Sequence, residues 1–287
     1  MIYSAPIGGI EMAVRIVTLS ENTAQAGLIG EWGLSILVET ESSRVLLDTG
    51  LTTSAVHNAG ILGIDLSTID TIVLSHGHVD HTGGLRDVLS RVRKQVRVVA
   101  HPDVWALKYA VYGELKRYVG IPFRREELEG LGASFSLSQD PVKIGDNIMT
   151  TGEIAMTTDY EAIDPKLCVR DGEHMVPDPL ADDLALIVRT GQGLALITGC
   201  AHRGIVNTVR HAQRITGVER VHTVIGGTHL FVSTPDRIER TAGDLQSLGL
   251  EKLGVSHCTG FHPAAALARE FGDVFFLNNA GTQVTLE

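Results

Sequence analysis

The chain has 287 residues, of which 44% are hydrophobic and 20% charged, enough apolar material for a sizeable core and too little charge for wholesale disorder. A formal net charge of -10 without any block of consecutive basic residues argues against a nucleic-acid groove and makes a small molecule the expected partner. Oligomeric state is not legible at this level.

Residues 1–12 read as a loose N-terminal extension, with Met12 a second candidate start. Glu11 and Arg15 interrupt the early apolar stretch, so neither a signal peptide nor a membrane span is expected. Three widely spaced cysteines, Cys168, Cys200 and Cys258, form no CxxC pair; they read as reduced thiols in a cytoplasmic protein.

Strands are expected at 13–19, 34–39 and 44–48, then a helix over 53–62 that stops at Gly63. The apolar run 71–74 reads as a buried strand, followed at once by the loop SHGHVDHTGG, a helix over 84–92 and a strand over 96–100. Residues 102–140, including 126–131, suggest helices in a loop-rich cover. The segment 157–183 carries Pro165, Pro177 and Pro179 with little periodicity and reads as an insertion or lid. Beyond it, strands at 184–189 and 194–198, a helix at 205–215, a strand at 221–225, a helix at 235–248, a strand at 252–255 and a helix at 263–271 precede closing strands at 274–277 and 283–286. This rhythm predicts an α/β (α+β) fold, an αββα sandwich of two mixed sheets with flanking helices, as a single domain over 13–287.

His76, His78, Asp80 and His81 fall within six residues directly after an apolar strand. Imidazole and carboxylate are the donors of zinc, iron and manganese sites. On a tight loop His76 and His78 can converge on one ion while Asp80 and His81 turn toward a second. There is no GxxxxGK[ST] phosphate loop and no GxSxG elbow, which leaves metal chemistry as the strongest signal.

HxHxDH after a hydrophobic strand resembles the signature of the metallo-β-lactamase superfamily. The order of LLDTG, SHGHVDHTGGL, GCAHRGIVNTV, IGGTHL and SHCTG is similar to one branch of it. Members of that branch are described as metal-dependent hydrolases like 7,8-dihydropterin-6-yl-methyl-4-(β-D-ribofuranosyl)aminobenzene 5'-phosphate synthase. The resemblance implies two divalent ions, zinc in first place with manganese or iron as alternatives, that activate a shared water. Its ligands would be His76, His78, Asp80, His81, His202 and His257, with Asp80 also handling the proton of the nucleophile. Asp48 would support the metal loop.

Other positions stay open. His202 is a ligand or a helix cap, and Cys200 a ligand or a small buried residue. Glu153 ligates, orients a neighbouring histidine or starts a turn. His229 is a leaving-group proton donor or a core histidine, and Arg203 binds an anionic substrate or is merely solvated. The remaining histidines, 57, 101, 174, 211, 222 and 262, read as solvent-facing or packing residues. Hydrolysis of a small anionic, phosphoester-type substrate by metal-bound hydroxide is the first expectation. A pterin-phosphate condensing transferase is the alternative, and iron-dependent sulfur or oxygen chemistry the third.

Overall fold

The computed structural model describes residues 13–287; the extension expected at 1–12 lies outside them. In chain order the first elements are β1 (Val14–Ser20), β2 (Ser35–Glu39), β3 (Arg44–Leu47), α1 (Ser54–Ile61), β4 (Thr71–Val73), α2 (Val79–Thr82), α3 (Leu85–Val92) and β5 (Val96–Ala100). The middle holds β6 (Lys108–Tyr112), β7 (Leu115–Tyr118), α4 (Arg125–Gly130), β8 (Ala133–Leu137), β9 (Ile148–Thr150), β10 (Leu167–Asp171) and β11 (His174–Pro177). The rest comprises β12 (Ala185–Thr190), β13 (Gly193–Thr198), α5 (Ile205–Thr216), β14 (Val221–Gly227), α6 (Pro235–Ser247), β15 (Lys252–Ser256), α7 (Phe261–Phe271), β16 (Phe275–Leu277) and β17 (Gln283–Leu286).

One sheet has the order β17-β1-β2-β3-β4-β5-β8 and a second the order β16-β15-β14-β13-β12-β9. Both mix parallel and antiparallel pairs. Their strands are apolar on both faces, and the period of two sorts each strand between two cores. Ile36 and Val38 of β2 and Leu186 and Val188 of β12 share the core between the sheets. Leu37 of β2 instead packs outward with Leu85, Val88, Leu89 and Val92 of α3, the i, i+3, i+4, i+7 stripe of an amphipathic helix. Ile187 of β12 packs outward with α5, α6 and α7. The result is the expected αββα sandwich.

The middle of the chain departs from expectation. The sequence predicts helices in a loop-rich cover over 102–140; the helix at 126–131 is present as α4, but β6 and β7 form a hairpin whose two-residue connection places Gly113 at φ +62°. The segment 157–183 holds a second hairpin, β10–β11, with Gly172 at φ +58°. β10 pairs with β6, so the two segments join into a third sheet of order β11-β10-β6-β7. Burial alternates along β6, but KYAVY and LKRY do not alternate in polarity and β7 is exposed throughout, so these short strands leave no hydrophobic pattern in the sequence. β9 was also not expected. No helix among the described residues is long and apolar enough to cross a membrane.

Candidate metal centre

The chemistry-bearing side chains all follow the carboxyl ends of neighbouring strands. Asp48 follows β3, the HGHVDH segment follows β4, Cys200 and His202 follow β13, His229 follows β14, and His257 and Cys258 follow β15. β3 and β4 are parallel, as are β13, β14 and β15, so these ends meet along one edge of the sandwich. Asp48, Ala201, His229 and His257 all adopt positive φ, between +48° and +58°. Left-handed backbone is uncommon for such residues and costs free energy, and four instances at one edge mark a functional site. Gly199 lets the sheets approach here: a Cβ on it would lie 2.1 Å from Ser75 Oγ.

Two donor sets converge. His76 Nε2 lies 3.0 Å from His78 Nδ1 and 3.1 Å from His202 Nε2. In the second set His81 Nε2 lies 3.2 Å from His257 Nε2, which is 3.4 Å from Asp80 Oδ2. Cys200 Sγ sits 3.1 Å from His81 Nε2 and within reach of both sets. Tetrahedral zinc with bonds of about 2.0–2.1 Å would separate its nitrogen ligands by roughly 3.3 Å, so the spacing fits a metal. Burial pushes His76 and His202 well below the ordinary imidazole range and His78 down to about 3. Neutral imidazoles turned lone pair to lone pair are the state that binds a cation.

The far sides of His76, His81 and His257 are held. Ser75 Oγ meets His76 Nδ1 at 2.9 Å, and Asn22 Oδ1 meets His257 Nδ1 at 2.9 Å. Buried Asp48 accepts from Ser75 N and Ser75 Oγ and meets His81 Nδ1 at 2.6 Å. Burial opposes charge on His81, but Asp48 outweighs it through its charge and hydrogen bond and, with Asp80, raises the imidazole pKa to about 9. For Asp80, burial is likewise outweighed by the His257 hydrogen bond and the neighbouring imidazoles, and the carboxyl titrates well below its usual range. Asp48→Asn should therefore weaken metal retention by about 10–100-fold without dismantling the site. A chelator competition titration checks this; unchanged affinity would show that Asp48 serves folding alone.

A family model of the metallo-β-lactamase superfamily matches residues 33–210. The chain belongs to the metallo-β-lactamase superfamily. It is 33% identical to 7,8-dihydropterin-6-methyl-4-(beta-D-ribofuranosyl)-aminobenzene-5'-phosphate synthase of Methanocaldococcus jannaschii, with 93% of this chain and 95% of that protein covered. Among solved structures, Tm1679, a metal-dependent hydrolase of the β-lactamase superfamily, superposes with a TM-score of 0.81 at 31% identity, covering 94% of this chain and 98% of that one. The metallo-β-lactamase fold protein YhfI from Bacillus subtilis, at 13% identity and TM-score 0.57 over 96% of this chain and 100% of that one, shares the fold.

Within this superfamily framework the other positions separate. His229 is buried beside the first donor set, its ring 4.0 Å from that of His202 and both ring nitrogens without hydrogen-bond partners. Glu153 is not among the converging groups; its carboxylate meets buried His101 Nε2 at 3.0 Å. Arg203 does not line the cleft over the site, and its backbone N–H donates to Asp183. His57, His174 and His262 are exposed, whereas His101, His211 and His222 are buried.

The cleft, of about 420 Å³, is walled by Trp32, Tyr112, Val119, Leu167 and Phe231, with Arg117 at its side. Tyr112, Arg117 and Leu167 come from the third sheet and Val119 directly follows its β7, so that sheet roofs the candidate site. Trp32 Nε1 donates to Asp80 Oδ2 at 2.9 Å. None of these wall residues was expected, because aromatic and basic residues in unrelated segments carry no local motif.

Proposed function

We propose that this superfamily member is a metal-dependent hydrolase of a small phosphoester whose substrate joins a flat apolar part to an anionic group. The observation that carries this reading is the pair of three-donor sets beneath a cleft that combines aromatic walls with Arg117. His76, His78 and His202 would hold one divalent ion, and Asp80, His81 and His257 the other. Zinc suits these donors first, with manganese or iron as alternatives. Bound there, the ions supply Lewis-acid polarisation and lower the pKa of water toward about 7.

The chain's own groups then have distinct tasks. Asp80 Oδ2, steadied by Trp32, orients the attacking water, whose proton passes to solvent through the cleft. His229, unpartnered at both ring nitrogens, delivers a proton to the departing oxygen. Trp32, Tyr112 and Phe231 contact the flat part of the substrate and exclude water, and Arg117 pairs with the anion. The third sheet acts as the lid. The decisive test is release of alcohol and phosphate from aryl phosphoesters by the metal-loaded protein, with loss of release on chelation. Absence of turnover across a phosphoester panel would overturn the reading.

Arg117→Ala should raise KM for a phosphorylated substrate by about tenfold, the scale of one charge-assisted hydrogen bond, and leave kcat nearly unchanged. Steady-state kinetics check this; a matching fall in kcat instead would move Arg117 into the transition state. A second reading, condensation of a pterin phosphate with an aminobenzene ribofuranosyl phosphate, is favoured by the name of the Methanocaldococcus jannaschii relative. Mass analysis of products formed with both substrates present separates joining from hydrolysis.

A further inference from the structure

A third group of donors lies beside the two histidine-rich sets. Cys200 Sγ, Cys258 Sγ and a ring nitrogen of His229 all lie within 4.8 Å of one another. They come from the ends of three adjacent strands, β13, β15 and β14, and all three residues line the cleft. Gly227 makes the approach feasible, because a Cβ there would lie 2.7 Å from Cys258 Sγ and 3.2 Å from Cys200 Cα. The His229 side of the group is prepared as well. Its residue is 7% exposed, its φ is +48°, its ring nitrogens make no hydrogen bond, and its backbone N–H donates to Cys258 Sγ at 3.3 Å. A buried imidazole without partners is costly, and left-handed backbone adds to that cost.

We propose that Cys200, His229 and Cys258 form a binding site for a thiophilic metal ion such as zinc, cadmium or copper(I), separate from the two histidine-rich sets. Two sulfurs and one imidazole are a soft donor set. A tetrahedral ion with metal–sulfur bonds of about 2.3 Å and metal–nitrogen bonds of about 2.0–2.1 Å would space these atoms roughly 3.5–3.8 Å apart, within reach of the present arrangement. Binding releases the two thiol protons, and any proton on the coordinating imidazole nitrogen, to solvent and forms two metal–sulfur bonds and one metal–nitrogen bond; no electron transfer is involved. Cys200 is common to all three donor groups, so an ion here draws it toward Cys258. Each histidine-rich set then retains its three nitrogen or oxygen donors. An ion held here occupies His229, so binding at this site and delivery of a proton by His229 exclude each other and an ion here would inhibit the proposed hydrolysis; the site itself does not depend on that reaction.

Cobalt(II) titration of the reduced, metal-stripped full chain tests this. The d–d bands report occupancy, and the thiolate-to-cobalt charge-transfer band counts sulfur ligands. The expected result is a third equivalent that raises the charge-transfer band to the strength of two thiolates. Cys258→Ala loses that step and keeps the first two; Cys258→Ser, closer in size, serves if the alanine variant does not fold. Saturation of the wild type at two equivalents, or identical titrations of wild type and either Cys258 variant, would overturn the site. Failure of the histidine-rich sets is read separately, as absence of the earlier steps.

Discussion

Replacing both Asp80 and His257 by alanine is expected to remove about one divalent ion per chain, the one that the second three-donor set would hold. The two residues face each other across 3.4 Å in the second set, whereas His76, His78 and His202 are untouched. Turnover should fall by about a thousandfold or more, because both the positioning of the water and an electrostatic contribution at the reacting centre are removed. Folding should survive, since Trp32 Nε1 sits at the exposed rim of the cleft and finds water in place of Asp80. Elemental analysis beside circular dichroism makes the measurement. Unchanged metal content would remove the second set from the site, and one iron per chain in the parent protein would favour redox chemistry over hydrolysis.

The parts of this centre that lie close together in the chain were readable from it. His76 and His78 on the loop after β4, and Asp80 and His81 on the helical turn α2 that follows, lie within six residues, and their spacing states their chemistry without reference to the fold. Asp48, His202 and His257 were found through the order of motifs, each just after an apolar strand. What stayed hidden depends on contacts between distant segments. The His101–Glu153 contact spans 52 residues and the His81–Cys200 contact 119, and neither leaves a periodic trace. The roof was misread for a related reason: the β6–β7 and β10–β11 hairpins are partly exposed, and their pairing with each other is what stabilises them as strands. The layers of the sandwich were legible because its strands are apolar on both faces, which sequence states directly.

The least legible feature is also the one whose disruption should most affect stability. Lys108 on β6 is 1% exposed, and its Nζ lies 2.8 Å from both Asp178 and Asp182. Asp182 Oδ2 in turn accepts the Gly77 N–H between His76 and His78, so one buried ion cluster ties the roof to the metal loop. Burial opposes the Lys108 ammonium, but Asp182 and Asp178 outweigh it and raise its pKa above 10.5. A raised lysine pKa stabilises the fold at all pH values below the unfolded value and is lost only as pH climbs past the folded one.

Lys108→Met should therefore cost about 3–5 kcal/mol near neutral pH, since two carboxylates are left buried without their cation. The corresponding fall in Tm is on the order of 10 °C for a chain of this size. The Gly77 acceptor, Asp182, then carries an uncompensated charge. Adding Asp178→Asn and Asp182→Asn removes that charge while keeping an oxygen for Gly77, and should recover most of the lost stability. Thermal melts of the single and triple variants decide between charge and shape: recovery assigns the cost to the unpaired carboxylates, and equal destabilisation would assign it to the packing of the lysine stem against the loop.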